Sequence, residues 1–124
     1  MTKDRGAVAV EFALVLVPLV LVVFGMIDFG RALYTQITLD HVVREGVRIA
    51  ALGSNPTGDG QWVSDLLTPA GLTAGNVTST VCGTGYATVE ATHQFSFVTP
   101  LPALVPGLAS TLTLRGTAVA KCYA

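Results

Sequence analysis

The sequence predicts an α+β fold in which one long N-terminal helix packs on a small antiparallel three-stranded sheet. Three observations lead there. An apolar run from Ala7 to Ile27 carries a single charge, Glu11. Helical spacing of apolar residues then continues to Leu52, and beyond Asn76 the pattern changes to the two-residue alternation of half-buried strands. The implied segments are a basic N-terminal stretch at 1–6, a membrane-spanning helix at 7–27 and its amphipathic continuation at 28–52. A loop with a short helix follows at 53–75, and the sheet region occupies 76–124.

At about 1.5 Å rise per residue, the apolar run makes a helix of about 30 Å, the thickness of a bilayer's hydrocarbon core. Fourteen of its 21 residues are Val, Leu, Ile or Phe. Together they favour insertion by about 6 kcal/mol, against about 3 kcal/mol for one charge at the helix centre. The segment therefore inserts despite Glu11. Lys3 and Arg5 precede the run while Asp28 and Arg31 follow it, an asymmetry that favours a cytoplasmic N-terminus and an exported C-terminus. A secretory signal peptide is the competing reading, but its apolar core spans about 7 to 15 residues before a small-residue cleavage site. This run is longer and passes into a helical pattern.

With 124 residues, the chain holds at most one small domain beyond the anchor, and a net charge of −1 offers no electrostatic footprint for nucleic acid. From Asp28 to Leu52, Phe29, Leu33, Val43, Val47 and Ala50 form an interrupted apolar stripe, with Gln36 and Gly46 between them. Arg31, Thr38, His41, Glu45 and Arg48 run along another face, and Asp40 with Arg44 makes a favourably oriented i,i+4 pair. Pro18 lacks an amide hydrogen and should bend or loosen the helix near Leu14 to Pro18. Neighbouring helices or side chains can satisfy the freed carbonyl.

Gly53 through Gly60 is the clearest break, with Gly53 as helix stop and Pro56 just beyond. Gln61 to Leu67 fits two helical turns that bury Trp62 and Leu66, ended by Thr68 to Gly71. Val77 to Cys82 reads as a strand and Gly83-Thr-Gly85 as a tight turn. Ala87, Val89, Ala91, His93, Phe95 and Phe97 then alternate with polar residues, as on a strand with one buried face. Pro100, Pro102 and Pro106 exclude a central strand, so Thr99 to Gly107 is a loop. Thr111 to Tyr123 alternates again through Leu112, Leu114, Ala118, Ala120 and Cys122.

If the three strands form a meander, Cys122 returns beside the Gly83-Thr-Gly85 turn that Cys82 adjoins. One disulfide in an exported module is then expected, worth about 4 kcal/mol on the chain-entropy model, provided the Cα atoms approach within about 7 Å. Two buried free thiols are the alternative. A sheet of this size must cover its apolar side. The available partners are the stripe on Asp28 to Leu52 and the short Trp62 helix.

Catalytic chemistry is thin, and no cofactor is expected. His41 and Glu45 are four apart on a helix but lack a third metal ligand in reach and any HExxH pattern, so they read as a solvated face. His93 reads as a half-buried sheet residue. Ser54, Ser64, Ser79, Ser96 and Ser110 show no nucleophile elbow. Asp59 and Asp65 flank a Gly-rich loop without EF-hand spacing, which reads as a plain polar loop rather than a calcium site. Asn76-Val-Thr78 is a glycosylation sequon whose use depends on the source.

The N-terminal residues carry different chemistry. A cut after Gly6 would leave Ala7 with a free ammonium and Glu11 as the fifth residue. Either charge alone is costly in lipid, but in a bundle of staggered identical helices Glu11 of one chain can meet the Ala7 ammonium of another. That contact would set the axial register. The residues alone equally allow an incidental carboxylate that snorkels to the headgroups or is protonated there.

A short basic leader ending in Gly6, then Ala7, Glu11, Phe12 and a 21-residue apolar helix, resembles the class III signal of type IV prepilins. The order from Arg5 through Glu11 to Pro18, then Phe24 to Leu33 and Val43 to Ala51, is similar to TadE-like pseudopilins of tight-adherence (Flp-type) pilus systems. The likeness runs from about Arg5 to Ala51 and becomes general beyond Gly53. It implies a pilin-like structural protein without enzyme activity, processed by prepilin peptidase between Gly6 and Ala7. Ala7, Glu11, Phe12 and Pro18 would serve assembly, with other pilin or pseudopilin subunits as partners through the helix. The chain would sit in the bacterial inner membrane before assembly and in an extracellular pilus afterwards. It would be a minor pilin or pseudopilin. The alternatives are a main filament subunit with a surface-exposed β domain, or an uncleaved single-pass anchor holding a binding or sensor module. Flp pilins are typically little more than the helix, so the 97 residues after Ile27 weigh against a standard main subunit.

Overall fold

A computed structural model describes residues 2–58 and 60–123, with only the backbone described at residues 2 and 3. Its elements follow the α+β expectation. Helix α1 spans Thr2–Ala51, a helical turn α2 spans Gly60–Trp62, and a π turn follows at Val63–Leu67. Strands β1 (Val77–Thr80), β2 (Tyr86–Ser96) and β3 (Thr111–Lys121) form an antiparallel sheet in the order β1-β2-β3. A single-turn helix α3 at Leu101–Leu104 lies within the long connection between β2 and β3. The chain divides into two compact units. One comprises α1 up to Arg31 together with Phe97–Ser110, and the other comprises Ala32–Ser96 with β3 and its extension.

Helix α1 begins at Thr2, ahead of the expected Ala7, and it is continuous through Pro18. Its end is built from sequence chemistry. Gly53 takes φ of +84°, its amide donates to the Ala50 carbonyl at 3.0 Å, and the Ser54 amide donates to Ile49 at 3.4 Å. This pairing is the Schellman arrangement, in which a glycine enters the left-handed region and satisfies carbonyls that the last turn leaves open.

In the second unit, α1 packs on the sheet through Leu39, Val42, Val43, Val47, Ala50 and Ala51, all buried. The face differs from the expected stripe, because Phe29 and Leu33 are exposed. The spacing from Leu39 to Ala50 is the one a sheet-facing helix needs, with Gly46 buried between. Val77, Ala87, Val89 and Ala91 face this helix from the sheet, and Trp62, Leu67 and Leu72 complete the core. Each large aliphatic side chain buried here contributes about 1.5 to 3 kcal/mol. Leu67, rather than the expected Leu66, is fully buried beside Trp62. The π turn explains this, since the Thr68 amide donates to Val63 at 3.0 Å and brings residues five apart onto one side.

The sheet register pairs Val77 with Ala91 and runs from Tyr86↔Lys121 to Ser96↔Thr111. Buried Ala87, Val89, Ala91 and Phe95 alternate as predicted and His93 is half-buried as expected, whereas Phe97 is only half-buried. On β3, Leu114, Ala118 and Ala120 pack against the core, but Leu112 is exposed. Gly116 is buried where β3 meets the helix: a Cβ there would stand 3.3 Å from the Leu39 carbonyl carbon and oxygen. β1 stops at Thr80, two residues short of the expected Cys82.

Cys82 and Cys122 are joined by a disulfide with Cα atoms 5.8 Å apart. The meander accounts for the pairing. The Cys122 amide donates to the Gly85 carbonyl at 3.0 Å, just beyond the Tyr86↔Lys121 pair. The Tyr123 amide donates to the Ala51 carbonyl at 3.3 Å, tying the strand's end to the end of the helix.

Candidate functional site

Within the first unit, the stretch of α1 that carries the expected cleavage and assembly residues exposes its apolar side chains. Val8, Val10, Phe12, Leu14 and Val15 are all more than 60 % exposed, and Glu11 is exposed among them. An exposed apolar surface of this extent marks a protein or membrane interaction site. The helix is long and apolar enough to cross a membrane, with a mean hydropathy of 2.8 over its most apolar 18-residue window.

Helical geometry sorts these residues. At about 100° per residue, Ala7, Glu11 and Pro18 fall within roughly 40° of one another, whereas Phe12 points elsewhere. Ala7 and Glu11 are one turn apart on the same chain. A Cβ at Gly6 would meet nothing within 4 Å. The fold itself therefore makes no demand for glycine at that position.

The other occupied face of this helix lies at Asp28. Its carboxylate is 2 % exposed, accepts hydrogen bonds from the Val98 amide (3.3 Å) and the Thr99 hydroxyl, and pairs with Arg31 at 3.4 Å. Leu104 of the same segment joins Leu16, Val17, Val20 and Leu21 in lining an apolar cleft. By helical angle these contacts centre roughly 100° or more from the Ala7, Glu11 and Pro18 face. That face is left open.

Elsewhere, polar residues serve the fold. The Asn76 Oδ1 accepts from the Thr73 amide and hydroxyl, both at 2.9 Å, in a capping box that holds the half-buried sequon residue in a 3-10 turn at Ala74–Asn76. The Asn55 Oδ1 accepts from the Thr57 hydroxyl at 2.8 Å and the Ser79 hydroxyl at 3.1 Å, fastening the loop to β1. The Ser64 hydroxyl lies 3.0 Å from both the Gln61 carbonyl and the Asp65 Oδ1, which share its one hydrogen. Asp59 lies outside the described residues. His41 is exposed on α1, and Asp40 accepts from Gln36 at 3.4 Å, with an Arg48–Glu45 pair at 3.7 Å on the same helix. Among the described residues, no group of three or more His, Cys, Asp or Glu comes together as a metal site.

The sequence marks Asp28 as a charge flanking the apolar run and, in the main-subunit reading, as a contact between neighbours, not as the anchor of a loop. Its partners lie 70 and 71 residues away in the chain, out of reach of any local pattern.

Residues 6–48 match the family model described as TadE-like protein. The match begins at the glycine of the expected cleavage junction and covers most of α1, stopping before the loop and sheet. No curated protein and no solved structure matches the chain.

Proposed function

We propose, taking the TadE-like match over residues 6–48 as premise, that this chain is a pilus-associated structural subunit, a minor pilin or pseudopilin of a tight-adherence system. It enters the inner membrane through α1 with its N-terminus cytoplasmic, and prepilin peptidase cuts after Gly6. The freed Ala7 ammonium and Glu11 of a neighbouring copy or related subunit then neutralise one another in the helix bundle.

The observation that carries this reading is the exposed apolar stretch of α1 with one carboxylate, a single turn from the expected new N-terminus and on a face that the chain's own loop leaves open. Such a charge is expensive in lipid unless a cation meets it. The 97 residues after Ile27 favour a minor over a main subunit.

The mass of the mature chain tests the reading. Loss of residues 1–6 and of two hydrogens at the cysteines supports it, whereas an intact Met1 in membrane-resident protein rejects processing. A filament preparation in which this chain dominates would instead favour the main-subunit assignment.

A further inference from the structure

We propose that the β2–β3 connection, Phe97–Ser110, is a membrane-dipping loop that accompanies α1 into the exported-side leaflet. This rests on the membrane-anchored reading of α1 above and adds a second segment of the chain in lipid.

The composition is the first argument. Residues 100–109, Pro-Leu-Pro-Ala-Leu-Val-Pro-Gly-Leu-Ala, hold no polar side chain. Strand connections exposed to water are usually about 2 to 5 residues long and rich in polar turn formers. This one is longer and uniformly apolar. Leu104, Val105 and Leu108 are 55 %, 40 % and 39 % exposed, so this chain covers them only in part.

Position is the second. Leu104 lines one apolar cleft with Leu16, Val17, Val20 and Leu21. Those helix residues precede Asp28 by seven to twelve positions, which is about 10 to 18 Å along the axis. If α1 spans the bilayer from Ala7 to Ile27, the loop tip stands near the middle of a core about 30 Å thick. Water is absent at that depth, and the surrounding medium is acyl chain.

Backbone accounting is the third. Segments in hydrocarbon must satisfy their own amides and carbonyls, and this connection meets part of that demand itself. Pro100, Pro102 and Pro106 bring no amide hydrogen. The Ala103 and Leu104 amides donate to Pro100 at 3.0 and 3.1 Å, Val105 donates to Leu101 at 2.9 Å, and Leu108 donates to Val105 at 3.3 Å. Phe97 donates to Ser110 at 3.5 Å across the loop's base.

Polarity is sorted by depth as well. Asp28, Arg31, Val98 and Thr99 gather their polar groups where the apolar run ends, the level of the headgroups, and everything on the loop below them is apolar. The Asp28 carboxylate thus ties the neck of the loop to the helix.

The test uses the full-length oxidised chain in phosphatidylcholine–phosphatidylglycerol vesicles, with single added cysteines at L104C, L108C, L14C or V119C carrying an environment-sensitive NBD label. L108C repeats the loop measurement should L104C fail to fold. The quenchers are acyl-chain doxyl-phosphatidylcholine and aqueous iodide. The proposal expects loop labels to match L14C, with blue-shifted emission, loss by doxyl lipid and shielding from iodide, while V119C on β3 behaves as a water-exposed site. Iodide-accessible loop labels beside a lipid-quenched L14C overturn the loop and leave the anchor standing. If L14C is iodide-accessible too, the anchored reading fails and the loop with it. Blue-shifted loop labels that doxyl lipid does not quench, and that respond to protein density, show a second copy as the cover and overturn the lipid assignment.

Discussion

Gly46 of α1 lies under the indole of Trp62: a Cβ at residue 46 would stand 2.8 Å from the Trp62 Cζ2 and 3.3 Å from the Val89 Cγ1. The missing side chain lets the aromatic ring seat between helix and sheet. In an ordinary helix, Gly46→Ala would gain about 1 kcal/mol. Here the 2.8 Å approach to a buried ring is closer than a Cβ can stand, so overpacking at the upper end of about 1 to 3 kcal/mol outweighs that gain by about 1 to 2 kcal/mol, and the variant should unfold at lower temperature than the parent. A melting temperature equal to or above the parent's would reject the contact.

The helix-to-sheet core and the disulfide were both legible in the sequence, the first because its period changes from helix to strand and the second because a meander returns Cys122 to Cys82. Phe29 and Leu33 misled for a physical reason. A helix that leaves a membrane carries two apolar surfaces in succession, and composition alone does not say where one hands over to the other. Gly116 was invisible since its role depends on the Leu39 backbone, and Leu67 since a π turn shifts the buried face by one residue. Of the candidate site, the sequence revealed the Gly6, Ala7 and Glu11 order but not the Asp28 neck, whose partners are distant in the chain. Glu11's expected partner belongs to another subunit.

Removing the bridge by Cys82→Ser together with Cys122→Ser should cost about 4 kcal/mol, the chain-entropy value for a loop of this length. Denaturant unfolding of the purified chain with and without reductant measures it. Indifference to reductant would mean that the bond contributes nothing to the fold.

The Arg115–Glu90 ion pair, 3.3 Å across β3 and β2, is predicted to be nearly silent. Arg115 is 64 % exposed, and pairs of that kind contribute about 0 to 1 kcal/mol. Arg115→Ala should therefore shift the unfolding midpoint less than Gly46→Ala does, as parallel melts would show.

Gly6→Ala should leave the fold intact, because residue 6 has open space around it, yet impair processing. Glu11→Ala should insert and be cut normally but weaken assembly. Immunoblots for precursor and mature chain, with filament yield from sheared cells, separate the two effects; wild-type filaments from the Glu11→Ala strain would remove the assembly role.

Asp28→Ala takes away the acceptor for the Val98 amide and the Thr99 hydroxyl. Hydrogen exchange by mass spectrometry should quicken over 97–110, with peptides from β2 and β3 unchanged. Unaltered exchange in the connection would show that the carboxylate does not hold it.

The bond between Cys82 and Cys122 turns the paired strands β2 and β3 into a closed ring at one end. A two-residue slide of one strand along the other, the commonest error open to a long Thr- and Ala-rich hairpin, would tear that closure and is barred. Separation of the strands can start only from the opposite end, at Ser96 and Thr111, and must travel the full ladder. The hairpin is therefore a one-way zip, locked where it meets the helix terminus and free to fray only where the long connection enters.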